Sequence, residues 1–128
     1  MFKVGQRVWI VEEKKYAKIT KVDDITFFDK VAYDIEIEND DYTGYWRFGI
    51  ALHETADDMF EKLGYEKKIK ESTCLTYNNK NLWVEFDLDS KSYLVWEDWC
   101  SGLNAFNVLP QLHLAIHQKL IELGWVHD

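Results

Sequence analysis

Apolar and polar positions alternate most plainly at Val31, Tyr33, Ile35 and Ile37, which are interleaved with Ala32, Asp34, Glu36 and Glu38. Period two with mostly acidic neighbours predicts a strand with one face in a core and one face in water. Shorter stretches of the same kind surround it. Val8 and Ile10, joined by Val4, fall on one face of an opening strand, with Arg7, Trp9 and Val11 on the other. Glu12–Lys15 is a charged turn, Tyr16–Val22 a return strand, Ile25–Phe28 a brief strand or a covering loop, and Tyr42–Ile50 a last strand after the Asn39-Asp40-Asp41 turn. Four or five short strands with a turn roughly every 8–12 residues predict a small closed barrel, which removes sheet edges within few residues.

The periodicity changes near His53–Thr55. Thr55 is a suitable N-cap, Asp57 and Asp58 suit the positive end of a helix dipole, and Met59, Phe60 and Leu63 form an apolar stripe. Gly64 followed by Tyr65 predicts a left-handed C-terminal residue with an aromatic folding back on the last turn. Three strands follow at Glu66–Asn78, Asn81–Asp89 and Ser92–Trp99, separated by Asn/Asp/Ser/Lys turn clusters. In the middle one Leu82, Val84, Phe86 and Leu88 alternate with Trp83, Glu85 and Asp87, the first set facing inward. A final helix over Val108–Leu123 has Asn107 as a candidate cap and Pro110 in its first turn, where a missing N–H costs nothing. Leu109, Leu112, Ile116, Leu120 and Leu123 form its core-facing stripe, and Leu123-Gly124-Trp125 repeats the Leu-Gly-aromatic ending of the first helix. The expected fold class is therefore α+β: an antiparallel barrel over 1–53, then an α-β-β-β-α unit over 54–128 packed closely on it, because no Pro/Gly/Ser linker separates them.

Two resemblances accompany these patterns. Phe2-Lys3-Val4-Gly5-Gln6-Arg7-Val8-Trp9, the long hairpin, the Tyr33–Ile37 strand and the Trp46–Leu52 ending resemble an SH3-like barrel, with Gln6 where an acidic residue is commoner. The helix endings and spacing of residues 55–125 resemble small proteins of phages infecting low-GC Gram-positive bacteria. That second resemblance implies an accessory protein acting in the cytoplasm of a bacterial host by binding a host protein. It transfers no catalytic residues.

Composition narrows the function classes. Acidic residues outnumber basic ones 23 to 15 for a formal charge of −8, which argues against a generic nucleic-acid or membrane-surface binder. No apolar run reaches the length of a membrane span, and Lys3 and Arg7 interrupt the opening apolar stretch as they would not in a signal peptide. Cys74 and Cys100 stand apart without CxxC or Cys/His spacing, so reduced thiols are expected. Glycine-rich phosphate loops, nucleophile elbows and Cys/His pairs are all missing from the sequence, and Asp87-x-Asp89-x-Lys91 lacks the glycine and glutamate of a calcium loop. An enzyme, a cofactor and a metal centre are not expected. His113 and His117 have the i, i+4 spacing that lets two imidazoles meet one metal, but no further ligand is evident and they read as a polar edge.

Charge and aromatics point instead to interaction. Residues 1–21 carry six bases against two acids, and residues 22–54 carry nine acids against two bases, so a bipolar barrel is expected. Asp34, Glu36, Glu38, Asp40 and Asp41 would form an acidic face able to occupy the basic groove of a nucleic-acid-handling or defence protein, as an anti-CRISPR-like inhibitor does. Trp96, Trp99 and Phe106, within a cluster that includes Trp83 and Tyr93, would anchor the contact as exposed aromatics among acids. The alternative is a nucleic-acid-binding barrel in which Lys14, Lys15 and Lys18 meet phosphates and an exposed Trp9 or Tyr16 stacks on a base.

Overall fold

The computed structural model describes residues 2–25, 30–39, 43–46, 51–98 and 108–127. They form an α+β protein of two antiparallel sheets and two helices, in two compact units, Met1–Thr55 and Ala56–Asp128.

The first unit holds β1 (Arg7–Ile10), β2 (Lys15–Ile25), β3 (Lys30–Ile37), β4 (Thr43–Trp46) and β5 (Leu52–Glu54) in the order β4-β3-β2-β1-β5. Val8 and Ile10 face Ala17, Ile19, Ile35 and Ile37 in a core closed at its margin by Phe2, Val22, Tyr33 and Leu52. The register of β2 against β3 shifts between Ile19 and Lys21, a bulge that keeps Ile19 opposite Ile35 while Val22 faces Tyr33. The expected closed barrel is not found. The strand order ends at β4 and β5, so among the described residues the sheet is open.

The second unit runs α1 (Ala56–Lys62), β6 (Glu66–Glu71), β7 (Cys74–Asn79), β8 (Leu82–Asp87), β9 (Ser92–Glu97) and α2 (Pro110–Glu122), with a meander β6-β7-β8-β9. The stretch Glu66–Asn78, expected to be one strand, is a hairpin: its register breaks between Ile69 and Glu71, and Cys74 pairs back onto Glu71. The unit is thus α-β-β-β-β-α. Ser72 and Thr73 form this turn without Gly, Pro, Asn or Asp, the residues by which turns are usually legible. Tyr77, Val84 and Phe86 meet Phe60, Leu112, Ala115 and Ile116 in one core, with Phe60 stacked on Tyr77 at 4.0 Å.

Both helix endings follow their sequence signal. Gly64 (φ +87°) and Gly124 (φ +76°) are left-handed, and the next residues, Tyr65 and Trp125, donate their N–H to Phe60 and Leu120 carbonyls, closing the last turns. The start of α2 differs from expectation. α2 starts with Leu109 as its N-cap, without a side-chain cap, and Leu109 is 62% exposed instead of joining the core stripe. At α1 the Ala56 N–H donates to Glu122 Oε2 of α2 at 2.7 Å, so a carboxylate distant in sequence satisfies the first turn.

Candidate functional site

Antiparallel pairing decides what becomes of the charged segments. The basic β2 lies directly beside the acidic β3, placing Glu36 opposite Lys18 and Asp34 opposite Lys21. Arg7 of β1 reaches across to Glu38 with a two-pronged ion pair, Nε to Oε1 at 2.7 Å and Nη2 to Oε2 at 2.8 Å, while its guanidinium lies 3.6 Å from the centre of the Tyr16 ring. The hydrogen bond from Arg7 holds the Glu38 carboxyl below its ordinary range. Among the described residues the charges expected at opposite poles of the barrel therefore stand side by side, with Asp34, Glu36 and Glu38 facing Lys21, Lys18 and Arg7. Asp34 is half-buried, its Oδ1 enclosed without a hydrogen-bond partner among the described residues. Asp40 and Asp41 lie outside the described residues.

Trp9 is corrected as well. It is 4% exposed, in edge-to-face contact with Tyr16 at 4.9 Å, so its ring is not presented for stacking on a base. Lys14, Lys15 and Lys18 are exposed on the β1–β2 hairpin, with Lys14 at the left-handed position of the turn (φ +54°).

In the second unit, the sheet face turned away from the two helices carries three cross-strand rows. Glu66, Asn78, Trp83 and Trp96 form one, Lys68, Thr76, Glu85 and Leu94 the next, and Cys74, Asp87 and Ser92 the third. Trp83 and Trp96, directly opposite on β8 and β9, stack with centroids 5.4 Å apart and planes 7° from parallel, and the Lys68 ammonium lies 5.6 Å from the Trp83 ring. Leu94, next to Trp96 on this face, is 57% exposed, and Tyr93 on the other side of the same strand is 46% exposed. Leu94, left in water on an end strand beside a parallel pair of half-buried indoles and the carboxylates Glu66, Glu85 and Asp87, makes an aromatic platform with an acidic rim. Of the expected aromatic anchors, Trp96 belongs to this platform, and Trp99 and Phe106 lie outside the described residues. The sequence pointed to Trp83 and Trp96 separately. Their stacking depends on register.

A second cluster was not legible in advance. Asp57 of α1 accepts a short hydrogen bond from the Tyr77 hydroxyl on Oδ1, pairs with Lys67 at 3.1 Å through Oδ2, and lies 3.6 Å from the ammonium of Lys119. Burial would raise the Asp57 pKa, but the Tyr77 hydrogen bond and the Lys119 and Lys67 charges outweigh it and hold it below the ordinary range. Burial also pushes the Lys119 ammonium below the usual lysine value, with Asp57 and Glu122 pulling the other way. Glu122 accepts from both Ala56 N–H and the Gln118 side chain, so one polar network ties α1, α2, β6 and β7. Asp57, Glu61, Tyr65, Glu66, Lys67 and Tyr77 line a cleft of about 380 Å³ beside it. The available signal was Lys119 itself: with Leu112, Ala115 and Ile116 it occupies the inward face of α2, where a charge needs a partner.

His113 and His117 are exposed on α2, with ring centroids 6.3 Å apart and planes 16° from parallel. Cys74 is a free, half-buried thiol, 3.8 Å from the Thr76 hydroxyl, and Cys100 lies outside the described residues. No described helix is long and apolar enough to cross a membrane. No protein-family model, curated protein or solved structure matches the chain.

Proposed function

We propose that the chain is a non-catalytic interaction module that binds a basic protein surface through the β8–β9 platform. The carrying observation is the parallel Trp83–Trp96 pair beside an exposed Leu94, on a face whose rows interleave apolar groups with Glu66, Glu85 and Asp87. Indole faces and carboxylates together suit Lys and Arg side chains: the ring quadrupole attracts the cation and the rim carboxylates accept its N–H groups. The exposed Leu94 and the open part of the half-buried Trp96 supply the desolvated centre of such a contact, and the acidic rim steers encounter.

The resemblance to small phage proteins gives this partner a place, a host nucleic-acid-handling or defence protein whose basic groove the module occupies and inhibits. The first sheet supports an SH3-like reading by its order, in which β5 returns to pair with β1 beside the β1–β4 meander. Its role in this proposal is to carry the mixed-charge hairpin, with the acidic residues of β3 secondary to the platform.

Affinity capture from a low-GC Gram-positive host lysate, followed by titration of the captured protein with wild type, Trp96→Ala and Leu94→Glu, tests the reading. Both substitutions are expected to weaken binding at least tenfold with the fold retained. Equal affinity for all three proteins overturns it.

A further inference from the structure

α2 has an outward side that neither the core nor the aromatic platform uses. Leu112, Ala115, Ile116 and Lys119 are turned inward. At 3.6 residues per turn, Pro110, Leu114, His117 and Ile121 then fall along the opposite side, with His113 next to them. Leu114 is 55% exposed, and both histidines are exposed with their rings nearly parallel, 6.3 Å between centroids. Apolar groups and imidazoles standing together in water on one helix face form an unfinished surface.

The chemistry of the pair says what would finish it. Zinc takes imidazole nitrogens at about 2.0–2.1 Å in a tetrahedron, each along its own ring plane, so the two stacked rings must turn about their side-chain torsions to aim a nitrogen at one ion, which i, i+4 spacing on a helix allows. Two imidazoles supply half of that shell. Among the described residues no group of three or more His, Cys, Asp and Glu side chains stands together to supply the rest. A second copy of the chain brings the same two ligands, and a twofold axis through the metal turns two half-sites into four-histidine coordination. The outward positions 110, 114, 117 and 121 are spaced four, three and four, the spacing of a seam between two packed helices. Leu114 and Ile121 of each copy would thereby leave water as the metal is bound.

We propose that His113 and His117 are a zinc half-site and that a second copy of this chain completes it, α2 against α2, making a metal-bridged dimer. The proposal is independent of the platform on β8–β9, which lies on another face of the same unit.

The test adds zinc ion alone to the metal-free full chain, with metal content and molar mass measured together. One zinc per two chains, with the mass doubling from 15.3 kDa, is expected. His113→Ala and His117→Ala each abolish the mass change and weaken zinc retention at least tenfold. Leu114→Glu, which leaves both ligands in place, is expected to prevent the dimer at zinc concentrations that saturate wild type. Because these side chains are exposed, the variants should keep the wild-type circular dichroism spectrum. Zinc uptake unchanged by the histidine substitutions places any metal at other groups and overturns the proposal. Zinc bound through His113 and His117 with the mass unchanged overturns the dimer.

Discussion

Lys119 of α2 keeps its ammonium 3.6 Å from the Asp57 carboxylate of α1, although Lys119 itself is only 5% exposed. Asp57 is shared with Tyr77 and Lys67, so a single carboxylate answers two cations and a phenol. Removing it leaves a buried ammonium short of its nearest counter-charge. Asp57→Ala is expected to destabilise the second unit by about 2 kcal/mol, under the 3–5 kcal/mol of a fully enclosed pair because the Asp57 side chain remains a third open. Lys119→Met, which fits the same space without charge, should cost less than half as much in urea unfolding. Equal losses in the two variants would mean that Lys119 is valued for its charge and not only its stem.

The pH dependence follows from the same carboxylate. Asp57 and Glu38 have folded pKa values below their ordinary ones, so the unfolded chain binds protons first as the pH falls. Their contribution is present above the unfolded values near 4 and is lost as the pH drops through the lower folded values. Urea midpoints measured from about pH 6 down to about pH 3 should fall, and the fall should be shallower in Asp57→Asn. Glu38→Gln should change the profile less, since its ion pair with Arg7 is more than two-fifths exposed on both sides and surface pairs contribute about 0–1 kcal/mol.

Gly64 and Gly124 end their helices in the same left-handed conformation but in different surroundings. A Cβ on Gly64 would come within 3.3 Å of Asn79 Nδ2, which donates to the Leu63 carbonyl at 3.1 Å, whereas nothing stands within 4 Å of one on Gly124. Gly64→Ala is expected to cost about 2 kcal/mol and Gly124→Ala about 1 kcal/mol, the difference being the displaced Asn79 cap. Thermal or urea unfolding of the two variants side by side checks the order.

The hairpin lysines give a negative expectation. Lys14, Lys15 and Lys18 face the solvent, but Trp9 is buried and Tyr16 is covered by Arg7, so neither aromatic expected beside them is ready to stack on a base. Fluorescence titration with single- and double-stranded DNA at two salt concentrations should give no saturable, salt-dependent binding, since phosphate contacts would release counterions. Saturable binding lost in Lys15→Glu would restore the nucleic-acid reading.

How legible the chain was depended on how far each signal reached. Local signals carried through in part: Ile35 and Ile37, the inward set Val84 and Phe86, and both Leu-Gly-aromatic helix ends lie where the pattern put them, whereas Ala32, expected on the water face, is fully buried. What failed needed long-range pairing. The charge asymmetry between residues 1–21 and 22–54 does not separate Lys18 and Lys21 from Glu36 and Asp34 in space, because β2 and β3 are neighbours. Trp9 gave an ordinary alternating signal, yet it is buried although Arg7 on the same face of β1 is exposed. The β6–β7 turn holds no Gly, Pro, Asn or Asp, and the Glu122–Ala56 cap joins positions 66 apart. Of the candidate site, the sequence supplied Trp96 and the acids, and register supplied the stack.

The account stands most directly on the accessibility and partner contact of Leu94. A photo-crosslinking amino acid placed at position 94, with the same probe at position 12 on the first hairpin as a control, reports which surface meets another protein in host lysate. A discrete protein adduct from position 94, absent at position 12 and lost when Trp96→Ala is combined with the probe, is the predicted result. Adducts of equal yield from both positions, or from position 12 alone, would contradict a binding surface on β8–β9.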